Sequence, residues 1–288
     1  MSAGDRVNLV VDQTPKDYHC TCGCCTQVIG ELRPEDGSYY SRLERNQYYD
    51  SSERGKGGHI AKTPLHIARW AVQRYTEPGD WVIDPTVGSG TTLVEAITQG
   101  RNAAGMEIQY GDILEANISR NLNDTVQAVI RIGDAREIAK FFGEAEIPPS
   151  SLVVNNPPYS GDENPRFVGR KKKKERSFLY DDGLPNLAFL RENADYWGAI
   201  RTIYEQCIDH LLPGGHFVTG IKDMMRHKRP FLLHRDFCDL LSDLDLTFVG
   251  TAFLRHHPGT LHLNTYEKRY GVAPPRYQTI SVFRKDKP

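Results

Sequence analysis

From residue 60 onward, short apolar runs alternate with amphipathic stretches. Leu65 to Tyr75 has helical spacing, with Thr63 placed to cap it and Pro64 at its first position. Trp81-Val82-Ile83 is a buried strand ending at Asp84, and Thr91 to Gln99 is a helix that Gly100 can terminate. Asn102–Met106, Ala128–Ile132 and Ser151–Asn155 read as further strands, ending near Glu107, Asp134 and Asn156, with a helix at Ile113–Asn123. Later come helices at Tyr196–Leu212 and Leu232–Leu244, and strands at His216–Gly220, Leu246–Phe253 and Gln278–Phe283. Strands alternating with helices imply an α/β fold with a mainly parallel sheet covered on both faces. Ligands of such sheets sit beyond the carboxyl ends of the strands.

Residues 1–58 read differently, as a Cys-containing extension before a catalytic domain at 59–288. The extension holds one apolar run, Val7 to Val11, then a Cys cluster, a Tyr-rich polar stretch and a Gly-rich loop. Within 288 residues, 39% hydrophobic and 25% charged residues fit an ordinary globular chain. The lack of a signal-peptide layout and of an apolar run near 18 residues, roughly the length of a span, gives the expectation of a cytoplasmic protein without membrane partners. The net charge of −1 excludes a globally basic surface, so a nucleic-acid ligand would need locally clustered charge.

Such a cluster exists. Arg166, Arg170, Lys171, Lys172, Lys173, Lys174 and Arg176 put seven basic residues within eleven positions, suited to phosphate contact. A solvated loop would have the same composition. Arg255–Pro258 and Lys268–Tyr270 form a second basic, aromatic region.

The turn Asp84-Pro85-Thr86-Val87-Gly88-Ser89-Gly90-Thr91-Thr92 follows the first core strand. Gly88 and Gly90 let the backbone approach a ligand, and the next helix directs free N–H groups at it. Glu107, placed 23 residues beyond Asp84, can bind the hydroxyls of a ribose, and Asp134 can face an adenine amino group. Three carboxylates at successive strand ends would repel pyrophosphate. They suit a ligand with a ribose, an adenine and a cationic end, such as S-adenosylmethionine.

Asn156-Pro157-Pro158-Tyr159 follows the fourth core strand. The Asn156 side-chain oxygen and the Pro157 carbonyl can accept both hydrogens of an amino group, localising the nitrogen lone pair. The two prolines stiffen the loop, and Tyr159 offers a face on which an extruded base can stack.

Together, His59-Ile60-Ala61-Lys62-Thr63-Pro64, the Asp-Pro-x-x-Gly-Ser-Gly-Thr-Thr turn and the Asn-Pro-Pro-Tyr loop resemble the amino-directed (N6-adenine/N4-cytosine) DNA methyltransferases over roughly residues 59–284. The chain departs from their pattern at Ile60, at Thr63 and at Thr86, where that family has an aromatic. The resemblance implies a Rossmann-like class I methyltransferase fold with a seven-stranded sheet. It implies binding of S-adenosylmethionine by Lys62, Thr63, Pro64, Asp84, Thr86, Gly88, Gly90, Thr91, Thr92, Glu107, Asp134 and Asn156, with Asp84 and the glycine turn at the methionine end. It further implies methylation of adenine N6, with cytosine N4 next, in a flipped DNA base. RNA is the alternative substrate; a protein glutamine methyltransferase and a catalytically dead binding module are the remaining readings. A monomer and a homodimer both fit.

Cys20, Cys22, Cys24 and Cys25 are candidate ligands for a structural zinc ion, which could take some of them together with a distant partner. Four reduced, unliganded cysteines are the plainer reading. Cys207 and Cys238 read as core residues on helices.

Overall fold

Strand and helix boundaries follow where apolar side chains can be buried. The computed structural model describes residues 7–10, 23–34, 63–160, 186–190, 194–255 and 267–287. Lys62, the basic run at 166–176, Cys20 and Cys22 lie outside the described residues.

The elements are β1 (Val7–Val10), β2 (Val28–Pro34), α1 (Leu65–Tyr75), β3 (Trp81–Asp84), α2 (Thr91–Thr98), β4 (Asn102–Glu107), α3 (Gly111–Asn121), β5 (Ala128–Ile132), α4 (Ile138–Glu144) and β6 (Ser150–Asn155). They continue as α5 (Ala194–Asp209), β7 (Leu211–Lys222), β8 (Met224–Arg226), β9 (Arg229–Phe231), α6 (Leu233–Ser242), β10 (Thr247–Arg255) and β11 (Tyr277–Arg284).

Among the described residues the main sheet runs β1-β2-β10-β11-β7-β6-β3-β4-β5. β5, β4, β3, β6 and β7 are parallel neighbours, while β11 is antiparallel to both β7 and β10. The seven strands from β5 to β10, with the last strand in sequence inserted in reverse between its neighbours, form the Rossmann-like class I methyltransferase arrangement. The sheet is larger than the seven strands expected. β2 pairs in parallel with β10, and β1 pairs antiparallel with β2, so strands of the N-terminal extension continue the catalytic sheet.

Side chains alternate between two cores, as the period of a strand requires. Trp81, Ile83, Val153 and Phe217 pack against α4, α5 and α6. Val82, Leu152, Val154 and Val218 pack against α1, α2 and α3. A buried bidentate ion pair, Arg69 Nε and Nη2 to the Glu95 carboxylate at 3.0 and 3.2 Å, ties α1 to α2.

Several expectations shift in detail. Pro64, not Thr63, occupies the cap position of α1, and no side chain caps that helix. α5 ends at Asp209, short of the expected Leu212, because β7 starts at Leu211. The Pro213–Gly215 segment is thereby an irregularity within β7, where the register against β6 shifts between Leu211 and His216. The chain reverses from β4 and β5 on one side of β3 to β6 on the other. That places the switch point of the sheet, where such folds bind ligands, between β3 and β6.

Candidate active site

Asp84 and Asn155 are the last residues of the adjacent strands β3 and β6. Both are buried, and the Asn155 amide donates to Asp84 Oδ1 at 3.2 Å and to Thr86 Oγ1 at 2.7 Å. Tyr204 on α5 donates its hydroxyl to Asn155 Oδ1 at 3.0 Å. Burial raises the Tyr204 pKa, so that hydroxyl stays a donor. Asn155 therefore fixes the end of β6, and with it the start of the 156–159 loop, to the glycine turn. Thr86 has a use here that an aromatic lacks, because it supplies an acceptor for Asn155.

Gly88 and Gly90 have φ of 60° and 96°, the left-handed region where a Cβ is strained. The turn they shape is held from β4. Val87 N–H donates to the Met106 carbonyl at 3.0 Å, and Gly88 N–H donates to Glu107 Oε2 at 2.7 Å. Glu107 Oε1 also accepts the N–H groups of Gln109 and Tyr110, at 2.9 and 3.1 Å. Glu107 thus organises the turn and the approach to α3. Thr91 and Thr92 are buried in the first turn of α2, directly after Gly90. Gly105 permits the close approach of β3 and β4, since a Cβ there would lie 2.3 Å from the Asp84 carbonyl and 2.4 Å from Val87 Cγ2. Gly105→Ala is expected to destabilise the fold by about 1–3 kcal/mol, measurable by urea unfolding; an unchanged midpoint would contradict the tight fit.

Asp134 follows β5 and caps the turn Ala135–Glu137 through the Arg136 N–H at 3.0 Å. Its carboxylate is also gripped by the Arg136 guanidinium, so Arg136 orients both oxygens. Burial pushes the Asp84 carboxyl up to about 6, with the Thr86 N–H and the Asn155 amide pulling the other way.

The 156–159 loop is braced at both ends. Tyr196 on α5 donates its hydroxyl to the Pro158 carbonyl at 2.9 Å, and the Lys222 N–H at the end of β7 donates to the Tyr159 hydroxyl at 2.7 Å. Gln278 on β11 donates from Nε2 to Asn156 Oδ1 at 3.3 Å. Among the described residues, Asn156 Nδ2 is buried without a hydrogen-bond partner. Gly220 on β7 leaves the room that Asn156 fills, since a Cβ there would lie 2.2 Å from Asn156 Oδ1.

Thr63 and Pro64 lead into α1, on the core face opposite α5. Asn155, Tyr204, Tyr196, Gly220 and Gln278 were not evident as site residues from sequence. Asn155 carried one legible sign, a polar residue closing an apolar strand. The others come from remote elements and meet the site only through folding. Cys24 and Cys25 lie in the short turn Gly23–Cys25, where they meet His234 of α6 as a group able to hold a metal ion.

A family model described as DNA methylase matches residues 28–116, a segment containing the glycine turn and Glu107. Over this segment the chain is similar to the DNA methylase family, in line with the resemblance carried by its motifs. The type II methyltransferase M.MthZI of Methanothermobacter thermautotrophicus is 30% identical over 120 residues, 37% of this chain and 33% of that one. The type II methyltransferase M.BglI of Bacillus subtilis is 40% identical over 80 residues, 28% of this chain and 23% of that one. A tRNA (guanine(10)-N2)-dimethyltransferase of Methanocaldococcus jannaschii is 31% identical over 104 residues, 35% of this chain and 27% of that one. The matches span a third or less of these curated relatives. A solved precorrin 8W decarboxylase from Methanobacterium thermoautotrophicum aligns with a TM-score of 0.46 at 16% identity, covering 80% of this chain and 94% of that one. No helix among the described residues is long and apolar enough to cross a membrane.

Proposed function

We propose that the chain is an S-adenosylmethionine-dependent methyltransferase acting on the exocyclic amino group of a DNA base, adenine N6 before cytosine N4. The observation that carries this reading is the direct coupling of the 156–159 loop to the glycine turn through Asn155, Asp84 and Thr86. An amino-group acceptor and a cofactor cradle are thereby held in one rigid unit.

The residues suit that cofactor. Gly88 and Gly90 shape a backbone cradle, Asp84 and Glu107 supply buried carboxylates, and Asn156 Nδ2 is a buried donor with no partner among the described residues. When bound, S-adenosylmethionine supplies a methyl group on a sulfonium. Asp84 and the 88–90 turn hold its methionine end, Glu107 its ribose and Asp134 its adenine. Lys62, Thr63 and Pro64 line the pocket. Asn156 Oδ1 and the Pro157 carbonyl accept the two hydrogens of the target amino group. This turns its lone pair toward the methyl, so that rate comes from positioning. Tyr159 stacks on the extruded base, and the basic residues at 166–176 contact phosphates.

Ionisation of Asp84 makes cofactor binding pH-dependent. Its carboxyl titrates at about 6 in the folded chain against 3.8 ordinarily. The stability that its protonated form contributes is full below 3.8 and is lost as pH rises through about 6. Affinity for a cationic ligand runs the other way, rising through the same interval. Calorimetry is expected to give binding about tenfold weaker near pH 5 than near pH 8. Affinity that is flat with pH would remove Asp84 from that role.

The likeness to a tRNA guanine-N2 dimethyltransferase favours RNA as the second reading, because it too names an exocyclic base amine. Incubation with labelled S-adenosylmethionine and double-stranded DNA, tRNA or total protein separates the two. Label in DNA is expected. Label only in RNA supports the second reading, and label only in protein overturns both.

A further inference from the structure

Beyond the methyl-transfer site, a second group of reactive side chains is buried where the N-terminal segment meets α6. Cys24, Cys25 and His234 each offer one ligand atom, and all three atoms lie within 4.8 Å of one another. The Sγ atoms of Cys24 and Cys25 are 3.9 Å apart, and Cys25 Sγ is 3.3 Å from His234 Nε2. In a tetrahedral zinc site, with Zn–S near 2.3 Å and Zn–N near 2.05 Å, the edges are about 3.8 Å between sulfurs and about 3.6 Å from sulfur to nitrogen. The observed spacings are close to both. The separation of the two sulfurs is also far beyond a disulfide bond between Cys24 and Cys25.

Three further features shape the group for a cation. Cys238 follows His234 by one helical turn on α6, so both project from one face. The Cys238 thiol interacts electrostatically with Cys24 from outside the three ligand atoms that lie within 4.8 Å of one another, so it is a third sulfur that a side-chain shift could bring in. His234 is oriented from behind, since Asp223 accepts from its backbone N–H at 3.1 Å and meets Nδ1 at 2.7 Å. With the Nδ1 proton directed at Asp223, Nε2 carries its lone pair toward the sulfurs. A carboxylate behind a histidine is the usual support of a metal ligand. Ser281, 3.0 Å from Cys238 Sγ, can donate its hydroxyl to a thiolate there.

We propose that Cys24, Cys25 and His234, joined by Cys238 through a shift of its side chain, form a structural zinc(II) site that fastens the N-terminal segment to α6. Three thiols give up their protons to solvent on binding, and the neutral imidazole binds through Nε2, so the filled site has a charge of −1. Burial excludes a nucleophilic role for the Cys25–His234–Asp223 arrangement. Cys25 is 4% exposed, His234 0% and Asp223 2%, which leaves no route for a substrate among the described residues. Cys238, which reads from sequence as a core residue, is the fourth ligand of this proposal, and Cys20 and Cys22 lie outside the described residues. The ion would bridge positions 209 residues apart, where β2 already pairs with β10. The site is tied to the 156–159 loop through adjacent residues, because Asp223, which supports His234, follows the Lys222 whose N–H holds Tyr159.

The test uses the full chain, purified with its thiols reduced, saturated with zinc sulfate and dialysed, with bound metal measured by atomic emission. About one zinc per chain is expected, falling to trace levels in His234→Asn and Cys238→Ser and unchanged in Cys207→Ser, whose thiol lies outside the group. Cobalt substitution of the unaltered chain adds a readout independent of variant folding. Intense sulfur-to-cobalt charge-transfer bands with tetrahedral d–d absorption support the site. Trace zinc in the unaltered chain, an octahedral cobalt spectrum, or full zinc retention by folded His234→Asn would each overturn it. Retention by Cys238→Ser with an undiminished charge-transfer band would remove Cys238 from the ligand set.

Discussion

Asn156→Ala is expected to lower the rate of methyl transfer on the order of 10²–10³-fold, with cofactor affinity held within a few-fold. Asn156 directly follows Asn155, which is locked by Tyr204, Asp84 and Thr86. The backbone at the loop is therefore expected to survive the substitution, and the change removes one of the two acceptors proposed for the target amino group. The remaining acceptor, the Pro157 carbonyl, cannot by itself turn the lone pair toward the methyl. Single-turnover kinetics beside calorimetry separates the two quantities. An unchanged transfer rate would take Asn156 out of the chemistry, and a large loss of cofactor affinity with the rate at saturation intact would make it a binding residue only.

Gly220→Ala is expected to act through the same side chain from the opposite strand. The new methyl would lie 2.2 Å from Asn156 Oδ1 and 3.1 Å from Gln278 Nε2, so the hydrogen-bonded pair must separate or move. A displacement of this size costs on the order of 100-fold in rate when the displaced group aligns a reacting atom. Gln278 is a positioning residue in this account, since its amide fixes which way the Asn156 amide points. A double-mutant cycle distinguishes displacement from general damage. Adding Gly220→Ala to Asn156→Ala should cost little further rate, because the group it displaces is already gone. A full additional loss in that background would show that Gly220→Ala harms the fold instead.

Much of the sheet was legible because its strands are short, apolar and closed by acidic residues or Asn at their carboxyl ends. Ala128–Ile132 falls where its apolar run predicts, and β3, β4 and β6 end at Asp84, Glu107 and Asn155. The extension was less legible. β2 carries Glu31 and Arg33 among its apolar residues and Gly30 within it, so neither alternation nor a continuous run marks it. Its strand character comes from pairing with β10. The β8–β9 hairpin has three-residue strands, too short to show a period.

At the site, the residues legible in the sequence are those that sit in contiguous motifs. Three carboxylates there point to one ligand, whereas two of them also hold protein. Glu107 binds the N–H of Gly88, and Asp134 is paired with Arg136. Local chain geometry sets those contacts, and composition alone cannot separate a carboxylate awaiting a ligand from one capping a turn. Gly220, Gln278 and Tyr204 act from β7, β11 and α5, and His234 meets Cys25 across 209 positions. Such long-range juxtapositions leave no spacing to read in a single sequence.

The central claim is that the 156–159 loop selects an exocyclic amino nitrogen. The most direct measurement is mass spectrometry of nucleosides released from DNA methylated by the purified chain, with the methyl located on the base by fragmentation. N6-methyladenine, or N4-methylcytosine, is the predicted product. A methyl on a ring carbon, a ring nitrogen or a sugar oxygen would contradict it.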